Sequence, residues 1–240
     1  MVNWFASRRR KRVDAPRLRP RSTSTTNSTK VDLAELTPGL GDYLGKAAYL
    51  QLMIFENLGR AVATAPTMRA KTALSQAASL SLAKHQGLVR EIERHGDHPS
   101  DVMEPAARAI DRFQSATQGS DWFEAVTTCY VTAGFLDDFF YRLAGGLPGG
   151  SAERVGHILG GPSGEKIIAE VLLAAIETNP RLSARLALWG RRLVGDTMLV
   201  ARSALALSAN HDSDEARIEP VFTELIAAHT RRMDALGLTA

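Results

Sequence analysis

Apolar residues recur at steps of three and four along most of the chain after residue 30. This spacing places them on one face of an α-helix. One stretch, GDYLGKAAYLQLMIFENLGRAVA, contains a stripe made of Leu44, Ala47, Ala48, Gln51, Ile54, Phe55 and Leu58. Val and Ile residues elsewhere keep the same helical spacing, and no run alternates as a half-buried strand does. The pattern therefore predicts an all-α protein.

Turn signals divide this pattern into helices. Thr37 and Pro38 are a typical N-cap and first helical residue, and Gly96 is typical of a helix end. Helices are predicted at about 38–63, 66–96, 101–117, 120–146, 151–160, 164–178, 181–209 and 215–236. Because long helices joined by short turns pack as antiparallel neighbours, we expect a helical bundle.

The predicted helix at 120–146 is unusually rich in aromatic residues. Its rings belong to Trp122, Phe123, Tyr130, Phe135, Phe139, Phe140 and Tyr141. A helix with so many rings needs several packed neighbours to cover them. We expect it to lie centrally and to carry the contact of a homodimer.

The net charge of +3 is unevenly distributed. Residues 1–30 hold seven Arg and two Lys against the single acid Asp14, so the remaining residues are net acidic at −5. This basic segment has few apolar residues, which predicts a disordered tail ahead of a helical domain at 31–240. It is a solubilising tail or an organellar transit peptide, or it makes a weak contact with nucleic acid or an anionic membrane. The contact residues would be Arg8, Arg9, Arg10, Lys11 and Arg12.

The cysteine count and the length of the apolar runs bear on where in the cell the protein is expected. Cys129 is the only cysteine, so no intrachain disulfide can form, and we expect a cytoplasmic protein. No apolar run approaches the roughly 18 residues of a membrane-spanning helix. Cys129 lies in an apolar helix and is expected to be a core residue.

Three long phrases resemble a known family. They are SDWFEAVTTCYVTAGFLDDFFYRLA, NPRLSARLALWGRRLVGDTMLVAR and FTELIAAHTRRMDALGLTA. They resemble actinobacterial ferritin-like proteins grouped with tRNA-(2-methylthio-N6-isopentenyladenosine) hydroxylase, over roughly residues 35–240. The resemblance implies a ferritin-like four-helix bundle with additional C-terminal helices. It also implies that enzyme relatives use a non-haem di-iron centre to hydroxylate a modified adenosine in tRNA.

The donors of a di-iron centre are hard to find in this chain. Such a centre takes one Glu from each of two helices and a Glu-x-x-His pair from each of the other two. None of the six His residues has Glu or Asp three positions before it; His85, for example, follows Leu82. By the resemblance, Gln51 and Ala133 stand where relatives carry acids. We therefore predict that no metal is bound and no cofactor is needed.

A thin set of polar residues remains as a vestigial pocket. The candidates are Gln51, Glu56, His85, Asp138 and Glu165, with Asp137 beside them. Glu56 is expected at a helix edge in a surface or interhelical salt bridge, and His85 at the core boundary rather than as a ligand. Adjacent Asp137 and Asp138 point about 100° apart, so at most one faces the core. Asp138 can pair with Arg142 at i,i+4.

Other candidate chemistry is weaker. Glu153 and His157 stand four residues apart on a short helix and are expected to form a surface pair rather than a metal site. Arg191-Arg192 and Arg231-Arg232 are the strongest basic pairs after residue 30. They are expected on solvated helix faces, with contact to an anion or RNA as the alternative. No glycine-rich stretch has the Gly-Lys-Ser/Thr ending of a phosphate-binding loop.

These features predict a non-catalytic binding or structural module. Two alternatives stay open. One is a di-iron hydroxylase or oxidase that acts on modified tRNA and contains iron. The other is an RNA- or membrane-associated adaptor that works through the basic segment.

Overall fold

The structure, a computed structural model, describes residues 36–207 and 211–238. Within these residues the chain is helical throughout, which confirms the all-α prediction. The helices are α1 (Leu40–Ala63), α2 (Met68–Arg94), α3 (Pro99–Ala116), α4 (Trp122–Leu143), α5 (Ser151–Leu159), α6 (Glu165–Thr178), α7 (Arg181–Ser203) and α8 (His211–Ala235). The basic segment 1–30, with Arg8 to Arg12, lies outside the described residues.

Helix boundaries follow the turn chemistry with a few exceptions. Thr67 caps α2 by accepting a hydrogen bond from the backbone N–H of Ala70, and Asp121 caps α4 in the same way. Gly96 follows the end of α2 with φ of 84°, a conformation that favours glycine. The predicted cap at Thr37 is wrong, because α1 begins at Leu40 and the Thr37 hydroxyl donates to the carbonyl of Leu143 instead.

Four helices form the central bundle. Helix α1 packs along α2 and α4, while α6 packs against both α2 and α4, so these four helices close a ring. The other helices surround it: α3 lies on α1, α5 on α2 and α4, and α7 and α8 on the outer side of α4. Helix α4 therefore lies between the bundle and the C-terminal helices, as its many rings predict.

The aromatic core explains why α4 is central. Phe135 and Phe139 are fully buried and both contact Phe222 of α8, with ring centroids 6.4 and 6.0 Å apart. The Tyr43 hydroxyl of α1 donates to the carbonyl of Phe140 over 2.6 Å. The rings of α4 are thus used mainly within the chain, and only Tyr141 is largely exposed. The predicted homodimer stays a prediction. Because most of these rings are covered within the chain, they are not available as its contact.

A close approach fixes the packing of α1 against α3. A Cβ atom added at Gly45 would lie 2.1 Å from the carbonyl oxygen of Val102, so only glycine fits there. Gly59, on the same helix, faces open space.

Among residues 36–207 and 211–238, no helix is both long and apolar enough to cross a bilayer.

Candidate functional site: the bundle interior

A small cavity lies where α1, α2, α4 and the start of α6 meet. Its volume is about 20 Å³, which is room for one water molecule. The polar residues that line it are Ser81, Lys84, Asp137, Ser163 and Glu165, and Ala133 lines it from α4. Because side chains of facing helices converge here, this is where a bundle protein builds a metal or cofactor site.

An ion pair occupies this interior. The ammonium nitrogen of Lys84 lies 2.5 Å from Oδ2 of Asp137. The other carboxylate oxygen, Oδ1, accepts a hydrogen bond from the side-chain amide of Gln51 over 2.6 Å. Lys84 and Gln51 are 5% and 2% exposed. The Asp137 carboxylate thus has a cation on one oxygen and a neutral donor on the other.

The position of Lys84 follows from the register of α2. The buried residues of this helix include Leu74, Ala77, Ser81, Lys84 and Leu88, which recur at three- and four-residue steps. Lys84 therefore lies on the inward face although its side chain is charged. A buried cation needs a partner, and Asp137 on the facing helix supplies the compensating charge. Sequence reasoning missed Lys84, although its place on the apolar stripe was the available signal.

The residues present do not fit a di-iron centre. Such a centre needs several anionic oxygen donors and imidazoles at one level of the bundle. Here only two carboxylates line the cavity and both have a cation partner, Asp137 with Lys84 and Glu165 with Arg232, while Ala133 offers no donor. No group of three or more His, Cys, Asp or Glu residues is placed to hold a metal ion in the described part of the chain.

Two sequence candidates lie away from this ion pair. The Nδ1 atom of His85 is 2.9 Å from the backbone carbonyl of Ala48, and the side chain is half-buried. This is the hydrogen-bonded boundary position expected for it. Glu56 is exposed. Neither side chain has a partner among the cavity residues.

Asp138 and Glu165 belong to a second charged group. Arg232 of α8 reaches both: its Nη2 atom lies 2.6 Å from Oδ2 of Asp138, and its Nε atom lies 3.1 Å from Oε2 of Glu165. The contact to Glu165 is an ion pair that is not aligned as a hydrogen bond. The predicted pairing of Asp138 with Arg142 is wrong, because Arg142 pairs with Glu224.

This second group covers one side of the cavity. Glu165 lines the small cavity and also an open groove of about 620 Å³ between α4 and α8. The Arg232 guanidinium packs against Gly134, where an added Cβ atom would lie 2.7 Å from Nε. Arg232 was expected on a solvated face, yet its side chain is only 13% exposed. The two carboxylates attract the guanidinium. The absence of a side chain at Gly134 leaves the space that it occupies.

A third charged group joins α2 to α5. The carboxylate of Glu91, 3% exposed, accepts hydrogen bonds from Nε and Nη2 of Arg154 over 2.8 and 2.6 Å. It also accepts one from the hydroxyl of Ser151 over 2.9 Å. The hydrogen bonds from Arg154 chiefly, with those from Ser151 and His95, lower the pKa of Glu91 to about 2.

Ser151, His95 and Glu91 do not form a catalytic triad. In a triad the serine and the acid bind opposite nitrogens of the imidazole. Here the Ser151 hydroxyl and the Glu91 carboxylate both lie by Nε2 of His95, at 3.0 and 3.2 Å. Ser151 is also 1% exposed, so substrate cannot reach it. The group is an ion-pair network that anchors α5.

The remaining candidates lie at the surface. Glu153 and His157 are both exposed on α5. Arg191 and Arg192 are exposed on α7, and the Arg192 guanidinium lies 5.2 Å from the ring of Trp189. Cys129 is buried, and burial raises the pKa of its thiol to about 12.

The fold and the position of the cavity define an all-α protein of the ferritin-like class, built on a four-helix bundle with further C-terminal helices. Residues 35–215 match the family described as "Ferritin-like domain, actinomycetes". The chain therefore belongs to this family. No curated protein matches it.

Proposed function

We propose that this protein is a ferritin-like module that works without a di-iron centre, as a non-catalytic binding or structural protein. The observation that carries the proposal is the ion pair of Lys84 and Asp137 in the bundle interior, 2.5 Å between Nζ and Oδ2. The ammonium supplies the positive charge that a metal ion would otherwise bring to this carboxylate. Lys84 thus compensates Asp137, and Glu165, the other carboxylate at the cavity, has Arg232 as its cation partner.

Energetics favour this interpretation. A buried carboxylate without a partner is strongly destabilising, and one well-placed cation removes most of that cost. A lysine in this place also repels incoming divalent cations, because its charge has the same sign as theirs. The cavity beside the lysine side chain, about 20 Å³, has room for about one water molecule.

A relationship to the tRNA hydroxylases remains part of the proposal. The phrases at 120–144, 179–202 and 222–240 carry the resemblance, and we infer that this chain keeps the bundle of these relatives while Gln51 and Ala133 stand where they carry acids. An active hydroxylase is the competing function. It would require iron, which these residues are poorly suited to hold.

Iron content distinguishes the two functions. The full-length chain is purified from cells grown with added iron, and metal is measured by mass spectrometry against protein concentration. We expect less than about 0.1 iron per chain, since Asp137 already has its cation. About two irons per chain, with the absorption band of an oxo-bridged pair, would support the hydroxylase instead.

A second candidate function comes from the basic segment. Nine basic residues against one acid in residues 1–30 favour a salt-sensitive contact with RNA or anionic lipid. The test compares the full chain with a variant that lacks residues 2–30, using a mixed RNA pool and anionic vesicles at 50 and 300 mM salt. Equal binding by both proteins would remove this candidate.

A further inference from the structure

The outer face of α7 exposes two large apolar side chains. Leu188 and Leu199 are each 67% exposed. They stand eleven residues apart, which is close to three helical turns, so they lie on the same face about 16 Å apart. Between them the face holds Arg192, which is exposed, and Gly195, beside which an added Cβ would meet nothing within 4 Å. We call these four residues, with Asp196 at their edge, the α7 outer face.

The two leucines and the residues between them are spaced so that a two-fold axis could relate two copies of this face. Leu188 and Leu199 are equally far from the midpoint between Leu193 and Val194, and so are Arg192 and Gly195. A two-fold axis through that midpoint would bring two α7 helices together in antiparallel orientation. Leu188 would then pack on Leu199 of the second copy, and the long Arg192 side chain would lie over Gly195 of the second copy.

Charge complementarity supports the same pairing. Asp196 has no ion-pair partner within residues 36–207 and 211–238, although it is half-buried at the edge of the face. Arg192 has the Trp189 ring and no carboxylate within the same residues. In the antiparallel arrangement, Arg192 and Asp196 of the second copy lie on the same flank, within about one residue's rise of each other. Two symmetric ion pairs would therefore join the copies.

We propose that the α7 outer face is the contact of a homodimer, and that its occupant is the α7 helix of a second copy of this chain. The proposal is independent of whether the bundle interior holds iron. A contact of three helical turns is smaller than the interface of an obligate dimer. We therefore expect a reversible dimer.

The first test is sedimentation velocity of the full chain from about 1 to 200 µM. The wild type is expected to pass from monomer to dimer over this range. The variant Leu188→Gln/Leu199→Gln should weaken association at least about tenfold, because four leucines lose their contact. Met68→Gln is the matched control, since Met68 is 74% exposed on α2 and should leave association unchanged. A monomeric wild type at 200 µM, or a dimer that the leucine variant does not weaken, overturns the proposal.

A charge exchange tests the register. Arg192→Asp and Asp196→Arg should each weaken the dimer several-fold, because like charges then meet across the axis. The double variant Arg192→Asp/Asp196→Arg restores opposite charges and should recover most of the wild-type association. Failure of the double variant to recover contradicts the antiparallel pairing. Circular dichroism melting of each variant checks that the substitutions at the exposed Arg192 and the half-buried Asp196 leave the fold intact.

Anionic vesicles identify the main alternative occupant. Vesicles of phosphatidylglycerol and phosphatidylcholine are sedimented with the wild type and with the leucine variant. We expect neither to bind through α7, since Arg192 and Asp196 leave the α7 outer face without the net positive charge that attracts an anionic surface. Vesicle binding that the leucine substitutions abolish, in a protein that stays monomeric, would assign the face to a membrane and overturn the dimer.

Discussion

The ammonium of Lys84 and the carboxylate of Asp137 face each other inside the four-helix bundle, with 2.5 Å between Nζ and Oδ2. Their side chains are 6% and 16% exposed, so water screens the pair poorly. Gln51 completes the arrangement through the second carboxylate oxygen. Each of the three residues comes from a different helix of the bundle.

Removing the cation should be costly. Lys84→Met keeps much of the side-chain volume but leaves Asp137 without its charge partner, and we expect a loss of about 3 kcal/mol in the free energy of unfolding. The measurement is urea unfolding followed by circular dichroism. The matched control is Lys46→Met, which removes an exposed i,i+4 pair with Asp42 and should cost less than about 0.5 kcal/mol.

The double variant Lys84→Met/Asp137→Asn separates charge from packing. It should regain most of the loss, because no uncompensated charge remains inside the bundle. If Lys84→Met costs no more than Lys46→Met, the pair is not a buried charge site.

The Glu91 network predicts a loss of stability in acid. The folded-state pKa of Glu91 is lowered to about 2, below its unfolded value of about 4.3. Its stabilisation is therefore fully present above pH 5 and is lost as the pH falls towards 2. We expect about 2 kcal/mol from this group, a value reduced for solvent screening of the partly exposed Arg154.

The check is the difference in unfolding free energy between wild type and Glu91→Gln across this pH range. The difference should be largest at pH 7 and shrink in acid. Glu93→Gln, at an exposed site on the same helix, should show no such trend. A constant difference for Glu91→Gln down to pH 3 would contradict the assignment.

Two glycines of α1 should respond in opposite directions to alanine. Gly45→Ala places a Cβ 2.1 Å from the Val102 carbonyl oxygen, so α3 must move, and we expect a loss of at least about 2 kcal/mol. Gly59→Ala faces open space and should stabilise the helix by about 0.5–1 kcal/mol. Thermal melting of both variants gives the result, and a tolerated Gly45→Ala would mean that α1 and α3 pack less closely.

The helices could be predicted well because periodicity and turn residues depend only on neighbours in the sequence. Periodicity placed Gln51 inward, and it is 2% exposed. Turn chemistry located Gly96 after α2. The ends of α4 and α7 were placed too late, at 146 and 209 instead of Leu143 and Ser203, since short turns after a helix continue its apolar pattern.

The charged groups were harder to predict because their partners are distant in sequence. Periodicity could not choose between Asp137 and Asp138, since α4 is covered on several sides and both directions lead to a neighbour. The choice depends on Lys84 of α2 and Arg232 of α8, which lie 53 and 94 residues away. Lys84 itself stood on a visible apolar stripe, but a lysine there is read as a surface residue unless its partner is known.

Binding of Fe(II) to the purified chain tests the central claim most directly. Anaerobic calorimetric titration is performed on the full chain and on Glu153→Ala/His157→Ala, which removes the exposed pair on α5 as a source of surface binding. We predict no saturable binding tighter than about 100 µM in the variant, because Lys84 already neutralises Asp137. Saturable binding of two equivalents with a dissociation constant below about 10 µM would contradict a bundle interior that works without iron.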